Sequence, residues 1–393
     1  MEKVAIVSCY FQKNYGSMLQ SFATQKIVNM LGYEHETICI DGIYKELQKA
    51  KIKHYLLQLN NFDVVKGKLG FIKKSIVKKI NKELTRQMAI RDEKFLEFKN
   101  TRFKLSRTCK SRQELTDYCK DFSSVLVGSD QLWLPSNIDS DYYTLSFVPD
   151  KVNKVSYATS FGVSNIPERQ WEKANEFLNR INHVSVREEA GQQIVKEIAN
   201  REVKVVCDPT FLLTADQWAE EFPSKRIIKE KYIFCYFLGN NPEQRDFVRK
   251  AKEITGFKIV ALLHLDEYVK SDCNFPDYAP FDIGPAEFFN LIRQAEYVFT
   301  DSFHGTVFSV LNQKKFFTYR RFKEGSSLST NSRMHSLFNV LDLHERFITV
   351  EQDVNECLMK EIDYKTVLEK LDSFRKESIN YLIRALETEK NRE

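Results

Sequence analysis

Apolar residues in the first half of the chain form short continuous runs that alternate with stretches of helical periodicity. Residues 4–8 are such a run, and residues 17–31 follow it with an apolar face that ends at Gly32. Further strand-like runs lie at 36–41, 123–127, 154–159, 183–187 and 203–207, with helical patterns at 169–181 and 188–198. Buried strands that alternate with amphipathic helices predict a parallel sheet covered on both faces.

A second series of the same kind follows a pause at residues 222–225. Its strand-like runs lie at 232–237, 258–263, 297–300 and 315–319, and its helical patterns at 244–255, 285–295 and 305–311. The chain therefore predicts an α/β fold of two Rossmann-like lobes with parallel sheets and a cleft between them, at residues 1–222 and 223–363. A last helix is predicted at 364–393 from an apolar stripe formed by Val367, Leu368, Leu371, Phe374, Ile379 and Leu382.

Composition narrows the class of protein. The 393 residues are 42% hydrophobic and 29% charged, which excludes disordered and collagen-like chains. The first residues lack the features of a signal peptide, and no uncharged apolar run approaches the roughly 20 residues that cross a bilayer. None of the eight cysteines forms a C-x2-C pair, so we expect buried reduced thiols rather than disulfides or zinc. These features predict a cytoplasmic protein.

Positive charge is concentrated in one segment. Residues 45–112 hold 20 Lys and Arg against 6 Asp and Glu, whereas the whole chain has a net charge of only +5. Such a local excess predicts a basic helical insertion in the first lobe rather than a nucleic-acid-binding face. A basic amphipathic helix of this kind either lies on an anionic membrane surface or packs on the lobe with its lysines in water. Its predicted apolar face consists of Ile72, Ile76, Val77, Ile80 and Leu84.

Polar residues follow two strand-like runs of the first lobe. Ligands of open parallel sheets bind at the carboxyl ends of the strands, so these positions are candidate binding residues. Residues 14–17 lead into a helix whose free N–H groups suit an anion or a sugar hydroxyl, although an ordinary helix cap explains them equally. Residues 128–133 offer hydroxyl, carboxylate and amide groups that suit a polyhydroxyl ligand; the alternative is a polar turn with Trp133 in the core.

Two further strand ends carry ionisable side chains. Arg187 presents a planar guanidinium that suits a phosphate or carboxylate, or that pairs with Asp208. His304 lies beside a glycine at a strand-to-helix turn, where a general acid or base would face the cleft. Glu188 and Glu189 need no functional explanation, since acidic residues suit the first turn of a helix. The chain lacks G-x-S-x-G, P-loop and G-x-G-x-x-G motifs, which disfavours serine hydrolases, P-loop kinases and ordinary dinucleotide enzymes.

Taken together, these segments resemble the polysaccharide pyruvyl transferase family. The similarity runs from about residue 3 to residue 345. It implies a fold like that of GT-B glycosyltransferases and transfer of the enolpyruvyl carbons of phosphoenolpyruvate to a sugar, with formation of a pyruvate ketal and release of phosphate. The segments that carry it are Asn14-Tyr15-Gly16-Ser17, Gly128-Ser129-Asp130-Gln131-Leu132-Trp133, Ser160-Phe161-Gly162, Ser185-Val186-Arg187-Glu188-Glu189, Cys207-Asp208-Pro209-Thr210 and Asp301-Ser302-Phe303-His304-Gly305.

The resemblance also implies roles for single residues. By this resemblance Arg187 is expected to bind the anionic donor, and His304 is expected to act as the general acid and base. Many members have an arginine where this chain has Ser302, so either Ser302 binds the donor more weakly or a residue such as Arg333 supplies the guanidinium. Asp130 or Asp301 would orient the acceptor hydroxyls. The remaining substrate-contact candidates are Asn14, Gly16, Ser17, Ser129, Gln131, Ser160 and Gly162.

This interpretation requires no metal and no cofactor besides phosphoenolpyruvate as donor substrate. The other expected partner is a saccharide acceptor, free or linked to a lipid, with peripheral contact of the basic segment with the inner membrane face. Two alternatives stay open. One is a nucleotide-sugar-dependent glycosyltransferase of the same two-lobe architecture, and the other is a saccharide-binding protein without catalytic activity.

Overall fold

Two parallel sheets organise the chain in a computed structural model that describes residues 2–56, 82–224, 226–264, 269–321 and 331–387. Within these residues the first sheet has the strand order β2-β1-β3-β4-β5-β6, and the second has the order β11-β10-β9-β7-β8. Every neighbouring pair of strands is parallel. The predicted two-lobe α/β fold is therefore confirmed. The strands are β1 Lys3–Val7, β2 Glu34–Thr37, β3 Ser124–Asp130, β4 Asn153–Thr159, β5 Ser185–Val186, β6 Lys204–Val205, β7 Tyr232–Tyr236, β8 Lys258–Ala261, β9 Tyr297–Thr300, β10 Lys315–Tyr319 and β11 Phe347–Ile348.

Helices connect the strands of both sheets, as parallel pairing requires. In the first lobe they are α1 Tyr15–Met30, α2 Tyr44–Leu56, α3 Lys82–Arg102, α4 Arg112–Cys119, α5 Pro135–Ser140, α6 Trp171–Arg180, α7 Glu189–Ala199 and α8 Ala215–Glu221. In the second lobe they are α9 Pro242–Thr255, α10 Pro285–Gln294, α11 Phe303–Leu311, α12 Ser332–Leu341 and α13 Val354–Met359, followed by α14 Tyr364–Leu386.

Two helices begin earlier than their apolar pattern predicts, because polar caps define their first turns. Asn14 accepts a hydrogen bond from the Ser17 amide at 3.1 Å, so α1 begins at Tyr15 rather than at residue 17. Ser302 accepts from the Gly305 amide at 3.3 Å, so α11 begins at Phe303 rather than at residue 305. His304 therefore lies in the first turn of a helix and not in the turn before it.

Several predicted strand boundaries are wrong by a few residues. Strand β2 spans Glu34–Thr37 rather than 36–41, because a turn bonds the Ile43 amide to the Ile40 carbonyl. Strands β5 and β6 have two residues each, since the chain leaves the ladder before Arg187 and Asp208, whose side chains bond to each other. Strand β11 was not predicted because a two-residue strand has no measurable periodicity.

The basic segment contributes two helices that pack on other parts of the protein. Helix α2 packs on α5, and α3 buries Met88, Phe95 and Phe98 and packs against α10 of the second lobe. Most of the helix predicted from residue 72 to residue 84 lies outside the described residues. In the part of the chain that the structure describes, no helix is long and apolar enough to cross a membrane. All eight cysteines are free thiols and all but Cys273 are buried, as predicted.

Helix α14 returns from the second lobe to the first. The Asn153 side-chain amide donates to the Ala385 carbonyl at 2.8 Å, and the Tyr381 hydroxyl donates to the Ser156 carbonyl at 3.0 Å. The Ser378 hydroxyl accepts from the Cys207 amide at 2.9 Å. The last helix therefore covers the β4 side of the first sheet, and its predicted apolar stripe is buried or half-buried.

Aromatic side chains join the two lobes. Tyr15 of α1 stacks on Phe288 of α10 with ring centroids 4.7 Å apart, and its hydroxyl donates to the Ile283 carbonyl at 3.0 Å. Trp218 of α8 meets Phe308 of α11 edge-on at 5.2 Å. One hydrophobic core consequently runs through both lobes.

The predicted linker takes part in this core. Phe222 is only 2% exposed and contacts Trp218 and Phe289. Its neighbours Pro223 and Ser224 interrupt the helical periodicity of the sequence. Phe222 itself is packed in the core and is not a flexible hinge residue. The lobe boundary between residues 222 and 223 stays a prediction.

Replacement of Tyr15 by alanine tests the interface. It removes a stacked ring and a buried hydrogen bond, so we expect the free energy of unfolding to fall by about 3–5 kcal/mol. Denaturant unfolding of the full chain measures the change. The control is Tyr278→Ala, which alters a 37% exposed ring and is expected to cost within about 1 kcal/mol. Equal losses in the two variants would contradict an interface held by aromatic packing.

Candidate functional site

A cavity of about 250 Å³ opens between the lobes, at the carboxyl ends of β1 and β3 in the first lobe and of β7 and β9 in the second. This is the edge of a parallel sheet at which ligands bind. Seven predicted site residues line it, namely Asn14, Ser17, Asp130, Gln131, Ser302, His304 and Arg333. The other six lie behind this lining, namely Gly16, Ser129, Ser160, Gly162, Arg187 and Asp301.

His304 reaches from the second lobe into the first. Its ring lies so close to Gly16 of α1 that a Cβ atom at residue 16 would be 2.0 Å from His304 Nδ1. Glycine is therefore required at residue 16 by the approach of this ring. On the other side of the ring, Nε2 is 3.6 Å from an oxygen of Asp208. The imidazole is thus held between the backbone of α1 and a buried carboxylate.

Asp208 is the centre of a buried charge network. One of its oxygens accepts from Arg187 Nη1 at 2.6 Å, and the other accepts from the Thr210 hydroxyl at 2.7 Å. Burial alone would raise the pKa of Asp208, but His304 and Arg187 outweigh burial and hold that pKa well below its usual range. Asp208 is therefore ionised and faces the ring of His304.

Asp130 is the carboxylate that reaches the cavity. It adopts a φ of 73° at the end of β3, accepts from the Ser17 hydroxyl at 2.7 Å, and pairs with Arg187 Nη2 at 3.2 Å. Burial opposes its ionisation, but Arg187, His304 and Arg333 lower the pKa of Asp130 to about 2. The residue is therefore a fixed negative charge beside the guanidinium groups of Arg187 and Arg333.

The two buried arginines differ in their surroundings. Arg187 pairs with Asp208 and Asp130 and lies over the Phe303 ring at 4.5 Å, so its guanidinium forms the ion pair that the sequence left open. Arg333 lies over the same ring at 5.7 Å and lines the cavity. Burial and the nearby Arg187 lower the pKa of Arg333 to about 9. The role of Arg187 as donor ligand stays a prediction.

Glu188 supports the loop after β4. Its carboxyl group accepts from the Ser160 hydroxyl at 2.8 Å and from the Phe161 amide at 3.2 Å, and it is fully buried. Burial raises the pKa of Glu188, although Arg187 and Ser160 oppose the rise. The sequence analysis explained Glu188 by its position in the first turn of a helix alone. Its hydrogen bonds make it a structural element of the site as well.

Asp301 and Ser129 are occupied by bonds to the chain. The Asp301 carboxylate accepts from the Leu238 and Gly239 amides at 2.7 and 2.8 Å, which fixes the loop after β7. The Ser129 hydroxyl donates to the Ala158 carbonyl at 2.6 Å. Both residues shape the site from behind it.

Gly162 and Trp133 shape the loop that follows β3. Gly162 has a φ of +67°, and a Cβ there would be 2.4 Å from the side-chain nitrogen of Gln131. Trp133 is fully buried and donates from Nε1 to the Tyr143 carbonyl at 3.0 Å, as the core alternative proposed. The turn is therefore packed beneath the cavity, and Asp130, Gln131 and Leu132 are the residues of segment 128–133 that reach the lining.

Sequence reasoning gave Asp208 only as a possible partner of Arg187 and did not single out Lys51, Tyr55 or Arg321. The sequence feature that indicated Asp208 was its position before a proline at the end of a strand. Lys51 and Tyr55 line the cavity from α2, and Arg321 lines it after β10. Nothing in their local sequence distinguishes these three from surface residues. Among the described residues, no group of three or more His, Cys, Asp and Glu side chains could hold a metal ion.

Acid titration tests the charge network. A carboxyl group with a lowered folded-state pKa contributes stability above its unfolded pKa of about 4, and that contribution is lost as the pH falls through the folded value. For Asp130 the loss falls between about pH 4 and pH 2 and amounts to about 2 kcal/mol. We expect Asp130→Asn to be less stable than the wild type at pH 7 and to lose less stability over that interval, in melting curves recorded at each pH. Parallel curves for the two proteins would contradict this assignment.

Comparisons with solved structures concern the fold. The chain aligns over 98% of its length with UDP-GlcNAc 2-epimerase from Neisseria meningitidis, over 100% of that chain, at 12% identity and a TM-score of 0.45. It aligns over 98% with a structure described as a UDP-N-acetylglucosamine 2-epimerase from Listeria monocytogenes, over 91% of that chain, at 10% identity and a TM-score of 0.51. MurG from Acinetobacter baumannii aligns over 98% of both chains at 8% identity and a TM-score of 0.40. The likeness to the Listeria monocytogenes structure shows a GT-B-like fold, and the fold alone.

The family assignment comes from the sequence. None of the curated proteins compared with the chain matches it. The sequence model of one family, polysaccharide pyruvyl transferase, matches residues 14–321, which include the described cavity-lining residues except Cys9, Gln12 and Arg333. The chain therefore belongs to the polysaccharide pyruvyl transferase family.

Proposed function

We propose that the protein transfers the enolpyruvyl group of phosphoenolpyruvate to a sugar of a cell-surface polysaccharide or its lipid-linked precursor. The observation that carries the proposal is the position of His304, which lines a cation-rich cavity and has an ionised carboxylate, Asp208, 3.6 Å from Nε2. Histidine is a residue that can act as both general acid and general base in catalysis. Pyruvyl transfer needs both steps.

In this proposal the donor binds by its two anionic groups. Arg333 and Arg321 line the cavity with Ser302, so their guanidinium groups take the place of the arginine that many family members have at the position of Ser302. Planar guanidinium groups suit both the carboxylate and the phosphate of phosphoenolpyruvate. Arg187, behind them, holds Asp208 and Asp130 in position.

The reaction then balances without a further reactant. His304 gives a proton to the methylene carbon, which becomes the methyl group, and one sugar hydroxyl bonds to the central carbon and returns its proton to the imidazole. The carbon–oxygen bond to phosphate breaks, and the second hydroxyl closes the ketal while its proton leaves with the phosphate. Asp130 and Gln131 line the cavity where the acceptor hydroxyls would be oriented.

Replacement of His304 by glutamine tests the acid/base role. We expect phosphate release from phosphoenolpyruvate, measured with a panel of oligosaccharide acceptors, to fall by a factor of about 10² to 10⁴. Stabilisation of the folded chain by phosphoenolpyruvate in a thermal-shift assay should remain. The control is His344→Gln, which changes an exposed histidine.

Two outcomes would overturn the proposal. Full turnover by His304→Gln would remove the acid/base role. Stabilisation of the wild type by a nucleotide sugar and not by phosphoenolpyruvate would favour the glycosyltransferase alternative.

We also propose peripheral contact of α2 with an anionic membrane surface. Lys45, Lys49, Ile52 and Leu56 recur at helical spacing on its outer face, and Ile52 and Leu56 are 57% and 54% exposed. The next segment of the sequence, residues 57–81, adds six lysines and one acidic residue. Positive charge with exposed aliphatic side chains is the composition that binds anionic lipid, and the pocket-lining residues of the same helix would then face a lipid-linked acceptor.

Vesicle binding tests this contact. Flotation with vesicles of phosphatidylglycerol and phosphatidylcholine should recover the full chain, whereas phosphatidylcholine alone should not. A Lys45→Gln, Lys49→Gln double variant should bind about 30-fold more weakly, at about 1 kcal/mol per lysine. Ile254→Ser, on α9 in the second lobe, is the control. Equal recovery of the double variant would place α2 away from the bilayer.

A further inference from the structure

Helix α2 carries one lysine on the side that closes the cavity. Lys51 lines the cavity together with Tyr55, while the lysines at positions 49 and 53 point away from it and are exposed. Lys51 is half-buried. A helix from the basic segment thus contributes directly to the wall of the site.

The position of Lys51 is fixed by the residue three places after it. His54 is 3% exposed and bonds to Asp139 of α5. Asp139 also accepts from Arg169 at 2.9 Å and from Gln170 at 2.6 Å. Residues three apart share one face of a helix, so the bond that anchors His54 also holds Lys51 over the cavity.

Lys51 differs from several lysines of the first lobe in its partners. Lys13 and Lys26 form ion pairs with carboxylates of the chain. Lys51 makes no ion pair or hydrogen bond within the described residues. Burial lowers the pKa of Lys51, which shows that the ammonium group has lost part of its hydration. An ammonium group that is partly dehydrated, faces a cavity and has no carboxylate of its own is stabilised by an anion bound there.

The cavity as a whole favours such an anion. Lys51, Arg321 and Arg333 line it, and Asp130 is the one carboxylate among its described lining residues. Asp130 is already bonded to Ser17 and Arg187. The lining therefore has an excess of positive charge that an anion with more than one negative charge would neutralise.

We propose that Lys51 binds a phosphoryl oxygen of the substrate and is a specificity-determining residue of the site. This inference rests on the proposed function. A phosphoryl group has two sources in that reaction, the phosphate of the donor and the phosphate that links an activated acceptor sugar to its carrier. The chemistry at Lys51 is the same in both cases, a charge-assisted hydrogen bond from an ammonium group to an anionic oxygen.

Anion binding by the full chain distinguishes these sources. Calorimetric titration with phosphoenolpyruvate represents the donor, and titration with inorganic pyrophosphate represents a carrier-linked phosphate. We expect Lys51→Met to weaken the affinity for at least one of the two by about tenfold or more. Lys51→Arg should retain most of the affinity. Lys53→Met, two residues away and exposed, is the matched control and should bind like the wild type.

Each outcome has one interpretation. Loss confined to phosphoenolpyruvate places the donor phosphate at Lys51, and loss confined to pyrophosphate places the acceptor phosphate there. If the wild type binds pyrophosphate through Lys51 but does not bind phosphoenolpyruvate, the proposed donor is wrong and the role of Lys51 remains. Wild-type affinities of Lys51→Met for both anions, equal losses in Lys53→Met, or a wild type that binds neither anion would overturn the inference. Lys51→Met should melt at the wild-type temperature without anions, because the replaced side chain has no partner in the described structure.

Discussion

The ion pair between Arg187 and Asp208 is the interaction on which the site depends. One oxygen of Asp208 accepts a hydrogen bond from Thr210. The other oxygen accepts from Arg187 and also faces His304 of the other lobe. Removal of either partner would leave a charge buried in the first lobe, a far larger penalty than the pair itself contributes. The arrangement is favourable because the negative charges of Asp208 and Asp130 are shared by cations that come from both lobes. The charge balance of the first lobe is thus complete only when the second lobe is in place.

The interface between the lobes has a second, apolar component. Stacked and edge-on aromatic rings from α1, α8, α10 and α11 form a core that does not stop at the lobe boundary. Two-lobe enzymes are often pictured as halves that open around a linker, and the sequence suggested such a linker at residues 222–225. In this chain the residue at its start is buried among those rings. Opening the lobes fully would expose a large apolar surface, so motions that admit substrate are expected to be confined to the elements around the cavity mouth.

The sequence predicted the architecture well because continuous apolar runs and 3.6-residue periodicity are properties of single elements. It also predicted that residues 14–17, 128–133 and 300–306 lie close together, since the carboxyl ends of parallel strands share one edge of a sheet. It failed where the information is not local. Nothing in residues 44–56 indicates that α2 closes the cavity, and nothing near Asp208 indicates that His304 of α11 approaches it from the other lobe. Glu188 was explained by its helix position alone, although its carboxyl group bonds to another loop.

Helix α14 has a consequence for how the chain is made. Its Ser378, Tyr381 and Ala385 bond to the first sheet, whose strands are encoded some 170 to 230 residues earlier. During synthesis the first lobe emerges and forms its sheet long before this helix exists, and the β4 side of that sheet remains uncovered while the second lobe is translated. The first lobe to begin folding is therefore the last to be completed. For that interval the nascent chain exposes an apolar surface that α14 later covers.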